Sequence, residues 1–186
     1  MRTQTHRIFF AVDLPAEIKT KLLTFQDRLI TLDANPISAE NFHITLSFLG
    51  DVSENKIESV LDHLKISSFE SFKVKLEYPL FMSQSNILAL EVDDGKTELT
   101  NLKNSIEKKL QTISHFNIEK RNYKPHVSLF RKVEKIRDDL PSCKLSFTVN
   151  SFCLMASLPT KKSVRYEIIE QWQLARERSI KETLIG

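Results

Sequence analysis

Two histidines occupy the same local setting at two separate places in this chain. The first lies in Asn41-Phe42-His43-Ile44-Thr45-Leu46-Ser47-Phe48-Leu49-Gly50 and the second in Pro125-His126-Val127-Ser128-Leu129-Phe130. Both share the order His, aliphatic residue, hydroxyl residue, Leu, and both read as short half-buried strands. Side chains alternate along a strand, so His43 and Thr45 share one face, as do His126 and Ser128. Ile44, Leu46 and Phe48, with Val127 and Leu129, are expected on the opposite, packed face. Brought together, two imidazoles near pH 7 form an acid–base pair. The hydroxyls can donate to phosphoryl oxygens where charge builds up. This set suits a cyclic phosphodiester: one imidazole activates water in line with the departing ribose oxygen, and the other protonates that oxygen. The scheme requires no metal and no cofactor.

A single histidine on a strand is more often packed or solvated than catalytic. Repetition of the whole pattern in one small chain reverses that weighting. His6, at the terminus, His63, beside Leu64 on a helix, and His115, at a helix end, have no hydroxyl partner and are assigned no catalytic role. Two histidines fall short of the three protein ligands of a catalytic zinc, so no metal site is expected.

Composition narrows the alternatives. The chain has 186 residues, 41% apolar and 27% charged, with a formal net charge of +3. That is an ordinary globular balance, mildly basic but without the dense basic patch of a dedicated nucleic-acid binder. Three glycines, none in a GxGxxG or P-loop arrangement, exclude a glycine-rich nucleotide cradle. Cys143 and Cys153 form no CxxC pair, which fits a reducing cytoplasm. The apolar run Ile8 to Val12 ends at Asp13 and Pro15, unlike a secretory leader, and no stretch approaches a membrane span.

The elements that would position the motifs follow from periodicity. Arg7 to Leu14 reads as a strand, stopped by Pro15, with Asp13 a candidate cap. Ile18, Leu22, Phe25, Leu29 and Leu32 define one helical face. Residues 33–41 read as a loop, and Ser53 as the N-cap of a helix through Leu64. Phe72 to Met82 and Ile87 to Val92 read as strands around a turn at 83–86. Leu99, Leu102, Ile106, Leu110 and Ile113 give another amphipathic helix. A short helix is expected at 134–140, then strands through Leu145–Leu158 and Val164–Ile169, with a charged tail after Arg176.

These elements repeat. Strand, helix, His43 strand, helix and Phe72–Met82 match strand, helix, His126 strand, short helix and Leu145–Met155. Leu80-Phe81-Met82 even has an echo in Cys153-Leu154-Met155. A period of about 75–85 residues is too long for a solenoid. The expected fold is therefore α+β: one bilobal, pseudo-two-fold duplicated domain over 1–186. Its pseudo-repeats cover about 7–82 and 87–158, with 159–186 as closing strand and tail. Two antiparallel-rich sheets would face a central cleft, with helices outside, and the axis would bring the two motifs together.

With these residues in view, the chain resembles the two-histidine phosphoesterase superfamily, specifically the RNA 2',3'-cyclic phosphodiesterases, also called 2'-5' RNA ligase-like proteins. The resemblance rests on Arg7–Pro15, on Glu40–Gly50, on Pro125–Leu129, and on Val164-Arg165-Tyr166 followed by Trp172 and Leu174. It implies a metal-independent hydrolase, monomeric and cytoplasmic, that opens a terminal 2',3'-cyclic phosphate of RNA or a nucleotide to a 2'-phosphomonoester. By motif position His43 would be the proton donor and His126 the proton acceptor, with Thr45 and Ser128 on the phosphate oxygens. Arg131 resembles a family arginine after the second motif. On a regular strand it would face away from His126, so it reaches the cleft only where the strand ends or bulges by residue 130. Tyr123, Phe48 and Tyr166 are candidates to stack a base, with core packing the expected role of Phe48. Ser128 stands where many relatives have Thr, and Ile37-Ser38-Ala39 lacks the family's Arg and Trp. The same constellation leaves three alternatives: a 2'-5' phosphodiesterase or reversible 2'-5' RNA ligase, a non-catalytic RNA-end binding module, and a zinc-dependent hydrolase.

Overall fold

In a computed structural model, residues 4–29, 34–66, 69–114, 116, 118, 122–136, 139–161 and 163–175 are described. The order is β1 (Thr5–Asp13), α1 (Ala16–Asp27), β2 (Asn35–Pro36), a 3-10 turn (Ala39–Asn41), β3 (His43–Ser53), α2 (Glu54–His63) and β4 (Phe72–Met82), then β5 (Ile87–Asp94), α3 (Lys96–Ile113), β6 (His126–Arg131), β7 (Leu145–Val149), β8 (Ser151–Pro159) and β9 (Val164–Gln173). The strands form a curled antiparallel sheet in the order β7-β4-β5-β6-β3-β1-β8-β9, with β2 paired to β6.

The order itself records the duplication. β5 and β6 with β4 and β7 make one half, and β1 and β3 with β8 and β9 the other. The third strand of each repeat crosses over. Leu80, Phe81 and Met82 pair with Ala89, Leu88 and Ile87. Cys153, Leu154 and Met155 pair with Ala11, Phe10 and Phe9. The echo between those tripeptides thus corresponds to one register used twice, and the exchange ties the halves together.

Alternation along β1 separates two layers. Ile8, Phe10 and Val12 join the main core with Ile18, Leu22 and Phe25 of α1. Leu99, Leu102, Ile106 and Leu110 bury the equivalent face of α3 in the same core. Phe9 and Ala11 point the other way, into a small cluster with Cys153 and Met155 under Tyr166. Fully burying one such large apolar side chain stabilises the fold by about 1.5–3 kcal/mol. β1 is thus buried on both faces: the helix side carries the core, and the other side floors the cleft.

Several local expectations are corrected. Residues 35–36 form a bridge strand and 39–41 a 3-10 turn within the expected loop. The helix expected at 134–140 does not form: its described residues 134–136 and 139–140 are irregular, and 137–138 lie outside the described residues. There Val133 N–H donates to the Asn86 carbonyl at 3.0 Å, tying the chain to the β4–β5 turn. Asp13 does not cap α1; it pairs with Lys19 at 2.6 Å, and Pro15 takes the N-cap position. Ser53 holds the N-cap position of α2 but makes no side-chain cap bond. Leu32 and His115 lie outside the described residues, as does the tail from 176. The turn before α3 does depend on glycine: Gly95 has φ of 90°, and a Cβ there would meet the Lys73 carbonyl at 2.6 Å. Both cysteines are free and buried. Among the described residues, no helix is long and apolar enough to cross a membrane.

Candidate functional site

β3 and β6 meet antiparallel at Ile44 and Val127. Both side chains are fully buried on the helix side. Their neighbours in sequence, His43, Thr45, His126 and Ser128, therefore turn to the cleft. Antiparallel direction sets His43 toward Ser128 and Thr45 toward His126. The two imidazoles become diagonal neighbours, a relation that spans about 7–8 Å in a regular ladder.

Each imidazole is oriented by the same device. His43 Nδ1 donates to the Asn41 carbonyl at 2.7 Å, and His126 Nδ1 donates to the Lys124 carbonyl at 2.7 Å. A carbonyl only accepts, so the proton is fixed on Nδ1 and Nε2 is left for chemistry. In the neutral ring, His43 Nε2 accepts from the Thr45 hydroxyl at 3.0 Å.

The charge environment of His43 is unfavourable to imidazolium. Its pKa falls from 6.5 to about 4, mainly through burial, with the charges of His126, Arg131 and Lys19 adding to the fall and only the Asn41 bond, which favours the protonated ring, opposing it. Cationic character converging on a half-buried pocket is the property of a site built to receive an anion.

Both motif strands bulge directly after the hydroxyl. In β6, Ala89 pairs with Ser128 and Leu88 with Phe130, so Leu129 is the extra residue. In β3, Ala11 pairs with Thr45 and Phe10 with Ser47, so Leu46 is the extra residue. A bulge inverts the alternation beyond it. Arg131 therefore comes back to the cleft face, where its Nη2 donates to the Tyr166 hydroxyl at 2.9 Å. Phe48 does the same and is 52% exposed, which corrects its expected place in the core. Arg131 and Phe48 hold equivalent positions on the two strands, one offering charge and the other an open aromatic face. Tyr166 stands edge-on to His43 at 5.0 Å, and Phe9 packs under both at 5.0–5.1 Å.

The bulges are braced from behind, each by the helix of the other repeat. Gln26 of α1, 3% exposed, donates its amide to the Leu129 carbonyl at 2.6 Å and to the Ile37 carbonyl at 2.9 Å. Glu107 of α3 accepts from the Ser47 hydroxyl at 2.8 Å and pairs with Lys103 at 2.7 Å. Tyr123 donates its hydroxyl to the Thr45 carbonyl at 3.1 Å, with the Lys103 ammonium 5.7 Å from its ring. Its polar tip is thus committed to the back of the motif strand.

The site therefore gathers His43, Thr45, His126, Ser128, Arg131 and Tyr166 on one face, with Tyr123 behind it. Of the other histidines, His6 pairs with Glu54 at 3.1 Å, and His63 bonds the Ser59 carbonyl of its own helix. Among the described residues, no three His, Cys, Asp or Glu side chains are grouped to hold a metal ion. Asn41, Gln26 and Phe9 were not picked out by residue type. Asn41 could have been noticed as a polar residue two positions before the histidine; the others depend on register.

A family model for LigT like Phosphoesterase matches residues 12–84. An RNA 2',3'-cyclic phosphodiesterase of Methanocaldococcus jannaschii is 29% identical over 176 residues, covering 89% of this chain and 99% of the relative. One from Archaeoglobus fulgidus, of the same name, is 31% identical over 134 residues, covering 69% of this chain and 74% of the relative. Among solved structures, Escherichia coli LigT in apo form is 26% identical with a TM-score of 0.83, over 93% of this chain and 99% of that one. The same E. coli protein complexed with 3'-AMP gives 0.78.

Proposed function

The chain belongs to the family of LigT-like RNA 2',3'-cyclic phosphodiesterases and is a phosphoric diester hydrolase, and from that premise we propose that it opens the 2',3'-cyclic phosphate at an RNA or nucleotide end to a 2'-phosphomonoester, by metal-independent acid–base catalysis between His43 and His126. The observation that carries this reading is the Ile44–Val127 pairing, which turns both imidazoles to one face.

In this reaction the cyclic phosphate lies between the imidazoles, its oxygens taking bonds from Thr45 and Ser128. Neutral His126, its proton fixed on Nδ1 by the Lys124 carbonyl, accepts a proton at Nε2 from water. The water oxygen bonds to phosphorus as the bond to the 3' oxygen breaks. Protonated His43 delivers its Nε2 proton to that leaving oxygen. One water is consumed, a 3' hydroxyl and a 2' phosphomonoester are formed, and solvent exchange resets the two imidazoles.

The low pKa of free His43 fits this role once the substrate is included. In the empty pocket, burial and neighbouring cations oppose the imidazolium. A bound phosphodiester supplies one negative charge among those cations and favours the protonated ring. His43 thus becomes an acid when there is a leaving group to protonate. Arg131, held toward the cleft by the bulge at Leu129, adds a fixed positive charge for the phosphate.

The relatives named RNA 2',3'-cyclic phosphodiesterase support this substrate class, as does the E. coli relative solved with 3'-AMP. The test is hydrolysis of 2',3'-cyclic AMP with excess chelator present. The expected result is 2'-AMP at an undiminished rate. Loss of activity with chelator would point to metal chemistry, and 3'-AMP as product would reverse the assigned leaving group. A parallel incubation with a 2'-5' dinucleotide separates the phosphodiesterase and ligase alternatives.

A further inference from the structure

Asn41 makes contacts that no neighbouring residue duplicates. Its backbone carbonyl accepts from His43 Nδ1 at 2.7 Å. Its side-chain amide donates to the Val164 carbonyl at 2.7 Å, and its side-chain oxygen accepts from the Tyr166 backbone N–H at 3.1 Å. Val164 and Tyr166 lie two apart on β9, which pairs with β8 at the end of the strand order. The amide of Asn41 therefore behaves like one residue of an additional strand, bonding both backbone groups that β9 offers at that point. One residue thus grips the imidazole with its main chain and the opposite wall of the cleft with its side chain.

The wall matters because of what Tyr166 carries. Its ring stands edge-on to His43 at 5.0 Å, and its hydroxyl accepts from Arg131 at 2.9 Å. The chain of contacts runs from His43 through Asn41 to β9, and from Tyr166 back across the cleft to Arg131 on β6.

We propose that Asn41 is a positioning residue that couples the orientation of the His43 imidazole to the placement of the Tyr166–Arg131 wall. It acts through the two groups it holds, so that imidazole and guanidinium keep a fixed relation across the bound phosphate. This rests on reading His43 and His126 as the acid–base pair.

The test is a double-mutant cycle on 2',3'-cyclic AMP hydrolysis, using Asn41→Ala, Tyr166→Phe and the combination. Asn41→Ala is expected to raise KM about tenfold and lower kcat about tenfold, because small displacements of positioned groups are amplified in the rate. Tyr166→Phe alone removes the hydroxyl that Arg131 contacts and is expected to raise KM. In the Asn41→Ala background that second effect should largely vanish, because Tyr166 is no longer held where its hydroxyl counts. A merely structural asparagine would lower the melting temperature and leave the two kinetic effects independent. Should Asn41→Ala not fold, Asn41→Asp keeps the oxygen facing the Tyr166 N–H and removes the donor to Val164; an intermediate rise in KM is then expected. Additive effects of Asn41→Ala and Tyr166→Phe, or an unchanged kcat/KM in either Asn41 variant, overturn the proposal. His43→Ala and His126→Ala run beside them separate the two levels: if those retain activity, the acid–base reading fails first.

Discussion

Ile44 and Val127 face each other across the seam between β3 and β6, and each is flanked on both sides by an active-site candidate. This pair marks the pseudo-two-fold axis of the cleft. It has His43 and Thr45 around one member and His126 and Ser128 around the other. The two imidazoles are thus related by near symmetry and differ in what lies beyond them. If they act as one unit, His43→Ala and His126→Ala should each lower kcat about 10²–10⁴-fold. The double variant should fall little further than either single one, because removing one member already disables the pair. Turnover of 2',3'-cyclic AMP, with circular dichroism to show intact folding, measures this. Multiplicative losses would mean that the two histidines work independently.

The His43 environment makes a prediction in pH. Its folded pKa of about 4 lies below the ordinary 6.5. Between those values the unfolded chain takes up a proton that the folded protein refuses, so stability is complete above pH 6.5 and falls as pH drops through the window. The stability lost through this single group reaches about 3 kcal/mol near pH 4. His43→Gln should flatten that part of the pH–stability curve, read by urea unfolding at pH 7 and pH 4.5. The same logic predicts that inorganic phosphate raises the His43 titration midpoint, followed by NMR of the imidazole. An unshifted midpoint under saturating phosphate would remove the substrate-assisted account of the acid.

The bulge at Leu129 offers a third prediction. Gln26 donates to the Leu129 and Ile37 carbonyls from inside the core, so Gln26→Leu removes both bonds and leaves the Leu129 carbonyl with the Ile37 N–H alone. Such a loss costs about 1–3 kcal/mol. It should also let the strand approach regular alternation, turning Arg131 away from the cleft. KM for 2',3'-cyclic AMP should rise several-fold while kcat changes less, and the Arg131→Ala effect should shrink in that background. A lowered melting temperature with unchanged KM would show that Gln26 only supports the core.

These particulars explain what could be read from the chain and what could not. His43, Thr45, His126 and Ser128 were legible because residue type and two-residue spacing suffice to put them on one strand face. The duplication was legible because Leu80-Phe81-Met82 and Cys153-Leu154-Met155 fill the same register. The crossover of those strands between halves was not, since pairing partners leave no trace in periodicity. Phe48 was assigned to the core by strict alternation, which the extra residue at Leu46 inverts. Nothing in Leu46 or Leu129 announces a bulge; both are apolar residues within apolar strands, and the groups that brace them, Glu107 on Ser47 and Gln26 on the Leu129 carbonyl, come from distant parts of the chain. Gln26, 103 positions from Leu129, is visible only once the chain is folded.

Tyr123 distinguishes a support from a substrate contact. Its sequence position beside the second motif suggests a base-stacking ring. In the fold its hydroxyl donates to the Thr45 carbonyl, and burial raises its pKa, so it remains a neutral donor across the working pH range. Tyr123→Phe keeps the ring and deletes only that bond. A stacking residue would tolerate the change, because the aromatic face is retained. A strand support would lose stability by about 0.5–1.5 kcal/mol, the usual net worth of one such bond. It would also lower kcat modestly through looser placement of Thr45, with KM for purine and pyrimidine cyclic nucleotides altered alike. Urea unfolding, together with kinetics on 2',3'-cyclic AMP and 2',3'-cyclic CMP, gives both readouts. Unchanged stability in Tyr123→Phe, with a base-dependent change in KM in Tyr123→Leu, would return Tyr123 to the substrate side.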